Sequence, residues 1–253
     1  SLSSLLRESD ELRDGAAAVV AVDAPLGLPA SFVHAAGAPG FAEWLEDAPA
    51  DAFEPVVDPA EWSPRRPFFR LPSRKTPGSR KAFEAAAARH AVDLRREIDR
   101  ATNANPVFAL NIPGQVAPAA IALWRELREA RAAGIEFEIW PFETARLDGG
   151  LVLAEIYPRA AYGTALSPSL PARPRSLAKT KEDVRRSALA ALRDADWVRD
   201  RHVRIRHADA AERSEDDFDA LLTAAALLRL LLEGRPLYTT DPDPVAEGGI
   251  LCA

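Results

Sequence analysis

AAAVVAVDAPLGLP, residues 16–29, decides how the rest of the chain is read. Its first half is a continuous run of Ala and Val, the pattern of a strand buried on both faces of a sheet. The run stops at Asp23, and Pro25, Gly27 and Pro29 then impose a rigid loop. A carboxylate at the carboxyl end of a buried strand stands where open α/β sheets place their ligands. The plainer reading of Asp23 is a loop cap that accepts backbone N–H bonds.

Around this strand the chain reads as an α/β protein. It has 253 residues, enough for one large domain, and a formal net charge of −6. That acidity argues against a surface coated for nucleic acid but leaves room for a local basic groove. Charged residues interrupt every apolar run before it reaches bilayer length, so no membrane span is expected. The first residues, SLSSLLRESDELRDG, lack the basic and apolar regions of a secretory signal. Cys252 is the only cysteine, so an internal disulfide and a Cys-based zinc site are excluded; a reducing cytoplasm fits best.

Leu2, Leu5, Leu6 and Leu12 predict a short amphipathic helix feeding the strand. Residues 30–83 read as a long Pro- and Arg-rich insertion, irregular apart from a short helix at 41–46. Within it WSPRRPFFRLPSRKTPGSRKAF, residues 62–83, carries seven Arg and Lys and no acid. Arg70, Arg74 and Lys75 are its candidate phosphate contacts, with Phe68 and Phe69 available for base stacking. The alternative is a solvated loop whose arginines pair with nearby acids. Helices are predicted at 82–100, with Glu97, Asp99 and several Arg on the outer face, at 119–133 and at 177–193. A half-exposed strand is predicted at 135–140. Residues 197–207, WVRDRHVRIRH, fit strand and loop equally.

The design at Asp23 recurs in LVLAEIYPRAAYG, residues 151–163: an apolar strand, Glu155 near its end, then Pro158. An ionised Glu buried there demands a cation or hydrogen-bond donors; otherwise Glu155 lies on the exposed face of an edge strand. A third acidic site opens the buried helix SEDDFDALLTAAALLRLLL, residues 214–232. Ser214 and Asp217 make a capping pattern, and the helix dipole accounts for Asp216 and Asp217. Asp219 sits against the core-facing run Ala220–Leu222 and is not explained so simply. Three acids brought side by side need a cation, and a set without His or Cys suits Mg²⁺ or Mn²⁺.

VAVDAPLGLP, LAEIYPRAAYG and DDFDALLTAAALL, in that order and followed by EGGI, resemble the family of predicted RNase-H-like nucleases known as domain of unknown function 429. The resemblance implies an RNase-H-like mixed sheet flanked by helices, as a single domain over residues 1–253. It also implies Mg²⁺ or Mn²⁺ held by Asp23, Glu155 and Asp219, with Asp216 assisting, and phosphodiester hydrolysis on nucleic acid. The family usually opens on a strand with a Gly-x-Asp-Gly pattern, which is not found ahead of Ser1, and the metal site would then be one ligand short. A non-catalytic descendant that binds nucleic acid or protein is the second expectation. A phosphotransferase is disfavoured because no glycine-rich phosphate loop is present, and acyl transfer because no nucleophile elbow is present.

Overall fold

The computed structural model describes residues 1–71, 79–102, 105–111, 116–167, 177–238 and 240–252. The chain divides into two compact units, one of Ser1–Glu155 with Asp241–Gly249, the other of Ile156–Thr240 with Ile250–Ala253. Among the described residues no helix is long and apolar enough to cross a membrane.

The first unit runs through α1 (Leu2–Arg13), β1 (Ala18–Val22), α2 (Ala30–Ala36), α3 (Phe41–Asp47), β2 (Phe69–Arg70) and α4 (Ser79–Ala88). It continues with α5 (Glu97–Thr102), β3 (Ala109–Leu110), α6 (Ala117–Ala132), β4 (Glu138–Ile139) and β5 (Leu151–Ile156). In α1, Leu2 and Leu6 turn one face inward while the Ser1 hydroxyl caps the first turn. Asp14 and Gly15, both in the left-handed region, reverse the chain into β1. β1, β5 and β4 form a parallel sheet in the order β1-β5-β4, with Val22 opposite Glu155 and Ile139 opposite Leu153. β5 is therefore flanked on both sides, and all six of its residues are buried. This matches the apolar run in its sequence and removes the edge-strand reading of Glu155. The fold is mixed α/β, with helices flanking parallel strands.

Two expectations need correction. The insertion over residues 30–83 is less irregular than expected, since α2 precedes α3 within it, and among its described residues Phe32, Phe41, Trp44, Phe53, Trp62, Phe68 and Phe69 are all buried. The aromatics gather around Trp124 of α6, with ring centroids of Phe41, Trp44 and Phe68 at 5.5, 5.5 and 5.8 Å. Edge-to-face contacts of this kind add to the area these rings remove from water. Phe69 stacks on Phe83 at 4.4 Å. Neither Phe68 nor Phe69 is therefore free to stack on a base.

The helix predicted over 82–100 is in fact two. α4 ends at Ala88, Ala91 takes a left-handed φ of 56°, and α5 begins only at Glu97. Val92 and Leu94 are buried between them. Alanine-rich sequence favours continuation of the helix, but insertion of these two apolar side chains into the core outweighs that local propensity. The break also turns Arg96 and Asp99, expected on an outer face, into the interior, where each is 1% exposed.

The second unit holds α7 (Pro158–Leu166), α8 (Glu182–Arg193), α9 (Asp196–Asp200), α10 (Ala208–Arg213), α11 (Glu215–Leu232) and β6 (Ile250–Leu251). α11 is the predicted buried helix, with Ser214 accepting from the Asp217 N–H at 3.2 Å. It packs along α7 and α10. The basic stretch after Trp197 forms one short helix and then irregular chain, and the helix predicted from 177 starts at Glu182.

Candidate functional site

Glu155, Arg96 and Asp99 form a buried polar site in the first unit. β5 carries the Glu155 side chain inward, and the α4–α5 break delivers Arg96 to meet it. The Arg96 guanidinium donates from Nη1 to Glu155 Oε2 at 2.7 Å and from Nη2 to Oε1 at 2.8 Å. This two-pronged arrangement is the strongest that a carboxylate and a guanidinium make. The Leu26 N–H adds a third donor to Oε2 at 2.7 Å. Arg96 also serves Asp99, through Nε at 3.1 Å and Nη2 at 2.8 Å. Its Nη1 reaches the Leu26 and Glu247 carbonyls at 3.4 and 3.2 Å.

Burial is the largest influence on the Glu155 carboxyl and pushes its pKa up, against the pull of Arg96 and the Leu26 N–H. Burial also opposes the Arg96 cation, but Glu155 and Asp99 together outweigh it and raise the guanidinium further above its ordinary value. Arg96 therefore stays charged, and the paired fork holds the site as an ion network.

The loop after β1 closes over this network through glycine. Gly27 has a φ of +136°, and a Cβ there would stand 2.4 Å from the Glu247 carbonyl oxygen. A Cβ on Gly248 would stand 2.3 Å from the Leu26 carbonyl oxygen. The glycines of the LGLP and EGGI motifs thus permit two backbones to touch. The Glu247 carboxylate accepts from the N–H groups of Glu97 at 2.6 Å and Ala30 at 3.3 Å, tying the α2 and α5 starts to the tail.

In the second unit, Asp219 is buried on α11. Its Oδ1 accepts from the Tyr162 hydroxyl and its Oδ2 from the Lys179 ammonium. Tyr162 comes from α7 and packs edge-to-face on Phe218 at 5.8 Å. Lys179 precedes α8, and its side chain is 30% exposed. Asp216, on the same helix, is exposed, as dipole compensation at the first turn requires.

Asp23 stands exposed in the bend after β1, one residue beyond Val22, the register partner of Glu155. Partners in a parallel register share a face, so strand alternation matches Val22, not Asp23, to Glu155. Among the described residues no three His, Cys, Asp or Glu side chains are grouped to hold a metal ion. Both oxygens of Glu155 and both of Asp219 are already engaged by protein donors. The donor set does not fit the divalent ions expected from sequence. Of the phosphate candidates, Arg70 is exposed on β2, while Arg74 and Lys75 lie outside the described residues.

Sequence reasoning missed Arg96, Asp99, Lys179 and Tyr162 as partners of the acids. The only available signal was the demand of a buried Glu for a cation, which named the chemistry but not the residue.

A family model, that of DUF429, a protein of unknown function, matches residues 4–244. Comparison with curated proteins and with solved structures returns no match.

Proposed function

The chain belongs to DUF429, and from that premise we propose that it is an RNase-H-like binding module rather than a metal-dependent phosphodiesterase. The observation that supports this is the Arg96 fork on Glu155. A divalent ion entering there would have to displace a guanidinium that is itself buried and tied to Asp99. The displaced cation would remain beside the incoming one in a poorly solvated interior, which is costly. The ligand class favoured is a phosphate-bearing one, met by charge: the stretch 62–83 carries only cationic charge, and Arg70 on it is exposed.

Calorimetric titration with Mn²⁺, run alongside hydrolysis assays on single- and double-stranded nucleic acid, tests the proposal. The expected result is no stoichiometric Mn²⁺ uptake and no Mn²⁺-dependent cleavage. One-to-one or two-to-one uptake that disappears in Glu155→Gln would overturn it.

The nuclease reading draws on one observation of its own. β1 and β5 are adjacent and parallel, so Asp23 follows the carboxyl end of one while Glu155 lies near that of the other. Ligands of open α/β sheets collect at such ends. Cleavage that is lost in both Asp23→Asn and Glu155→Gln would select this reading, and with it Mg²⁺ or Mn²⁺ as cofactor.

A further inference from the structure

The α4–α5 break that sends Arg96 inward leaves its neighbour Arg95 on the wall of a separate cavity of about 570 Å³. Arg80 and Glu84 of α4, Asp93 and Arg95 of the break, and Arg100 of α5 bring three guanidiniums and two carboxylates to its walls. Two of the cations are matched: Arg80 Nε donates to Glu84 at 3.0 Å, and Arg100 pairs with Asp93. Arg95 is the surplus. Its backbone N–H is used, donating to Asp93 Oδ1 at 3.0 Å, but its side-chain Nε is buried with no hydrogen-bond partner among the described residues. Buried donors in folded proteins nearly always have a partner, so an unpaired one on a side chain that lines a cavity marks the place where a bound acceptor would complete the set.

We propose that this cavity binds the phosphate monoester group of a small phosphorylated molecule, with Arg95 as the principal contact. A guanidinium fork matches two oxygens of a tetrahedral oxyanion, and a dianion can engage Arg80 or Arg100 as well. The exposed apolar wall is formed by Ala88 and Ala91, which suit the organic part of such a ligand. The volume lies in the range of small-molecule sites. The proposal rests on the binding-module reading and gives that module its ligand.

Titration calorimetry with inorganic phosphate, adenosine monophosphate and acetate tests it. Phosphate and adenosine monophosphate are expected to bind with one-to-one stoichiometry, and acetate at least about tenfold more weakly, since it lacks the second charge. Arg95→Ala should weaken phosphate binding by roughly tenfold or more, the loss typical of a charge-assisted contact, with Arg95→Lys between the two. Glu84→Gln, which frees Arg80, should tighten it. Phosphate binding that is absent at millimolar concentration, or unchanged in Arg95→Ala and Glu84→Gln, overturns the site. Mn²⁺ uptake lost in Glu155→Gln, with phosphate binding still dependent on Arg95, would instead keep this site and discard the binding-module reading.

Discussion

Glu155 and Asp219 are both acids set among apolar residues on regular elements, yet the two units satisfy them by different means. Glu155 faces a guanidinium that is 1% exposed and shared with a second buried acid. Asp219 faces a tyrosine hydroxyl and a lysine whose side chain reaches solvent. The first arrangement is closed, and removing any member leaves a charge with no route to water. The second is open on one side, so water can replace the ammonium when it leaves. A buried acid is therefore not by itself a sign of chemistry. What matters is whether its partner belongs to the protein or has to arrive from solution.

The sharpest way to break this contrast is Arg96→Ala, which strands Glu155 and Asp99 together. A loss of about 3–5 kcal/mol in unfolding free energy is expected from urea denaturation. The triple change Arg96→Met, Asp99→Leu and Glu155→Leu should recover much of it, because well-packed apolar residues can replace a buried ion triad. A recovery of nothing would mean that the fork is not the main feature holding this site.

Gly27→Ala comes next. It forces a side chain onto a φ of +136° and against the Glu247 carbonyl oxygen. Backbone strain of this kind costs about 1–3 kcal/mol before any clash is counted. The same denaturation experiment reads it, and an unchanged midpoint would remove the proposed closure of the loop over Arg96.

In the second unit, Asp219→Ala should cost about 1–3 kcal/mol by removing the buried carboxylate to which the Tyr162 hydroxyl and the Lys179 ammonium donate. Lys179→Ala should cost less than about 1 kcal/mol, given screening at its exposed end. Equal losses for Lys179→Ala and Arg96→Ala would erase the distinction between the open and the closed acid.

A last effect concerns pH. Cys252, in the same unit as Asp219, has its thiol pushed up from 9.0 to about 11 by burial, with Arg235 pulling slightly the other way. The folded value lies above the unfolded one, so the stability tied to the protonated thiol is complete below pH 9 and is lost as pH rises toward 11. Melting followed from pH 8 to 11 should show that decline in the wild type and not in Cys252→Ser. Alkylation of the native thiol at pH 8 should be slow compared with the denatured chain.

Much of the fold was legible because it depends on patterns a few residues long. The apolar runs that open residues 16–29 and 151–163 are β1 and β5. Ser214 and the apolar body behind it mark α11 in the same way. The candidate site was legible only in its acids. Arg95 and Arg96 are identical in type and adjacent in the chain, and no local rule says which one turns inward. That was settled where the helix predicted over 82–100 broke to bury Val92 and Leu94. A similar limit applied to Phe68 and Phe69, which read as exposed beside arginines but belong to the aromatic core.

The sequence by itself determined the two buried strands, the buried helix and the positions at which acids would need partners, because periodicity, capping and the cost of burying a charge act along the chain. The tertiary structure alone decided who those partners are. Arg96 reaches Glu155 across 59 residues and Lys179 reaches Asp219 across 40. Contacts of that span depend on how packed elements converge in space, and no spacing in the sequence encodes them.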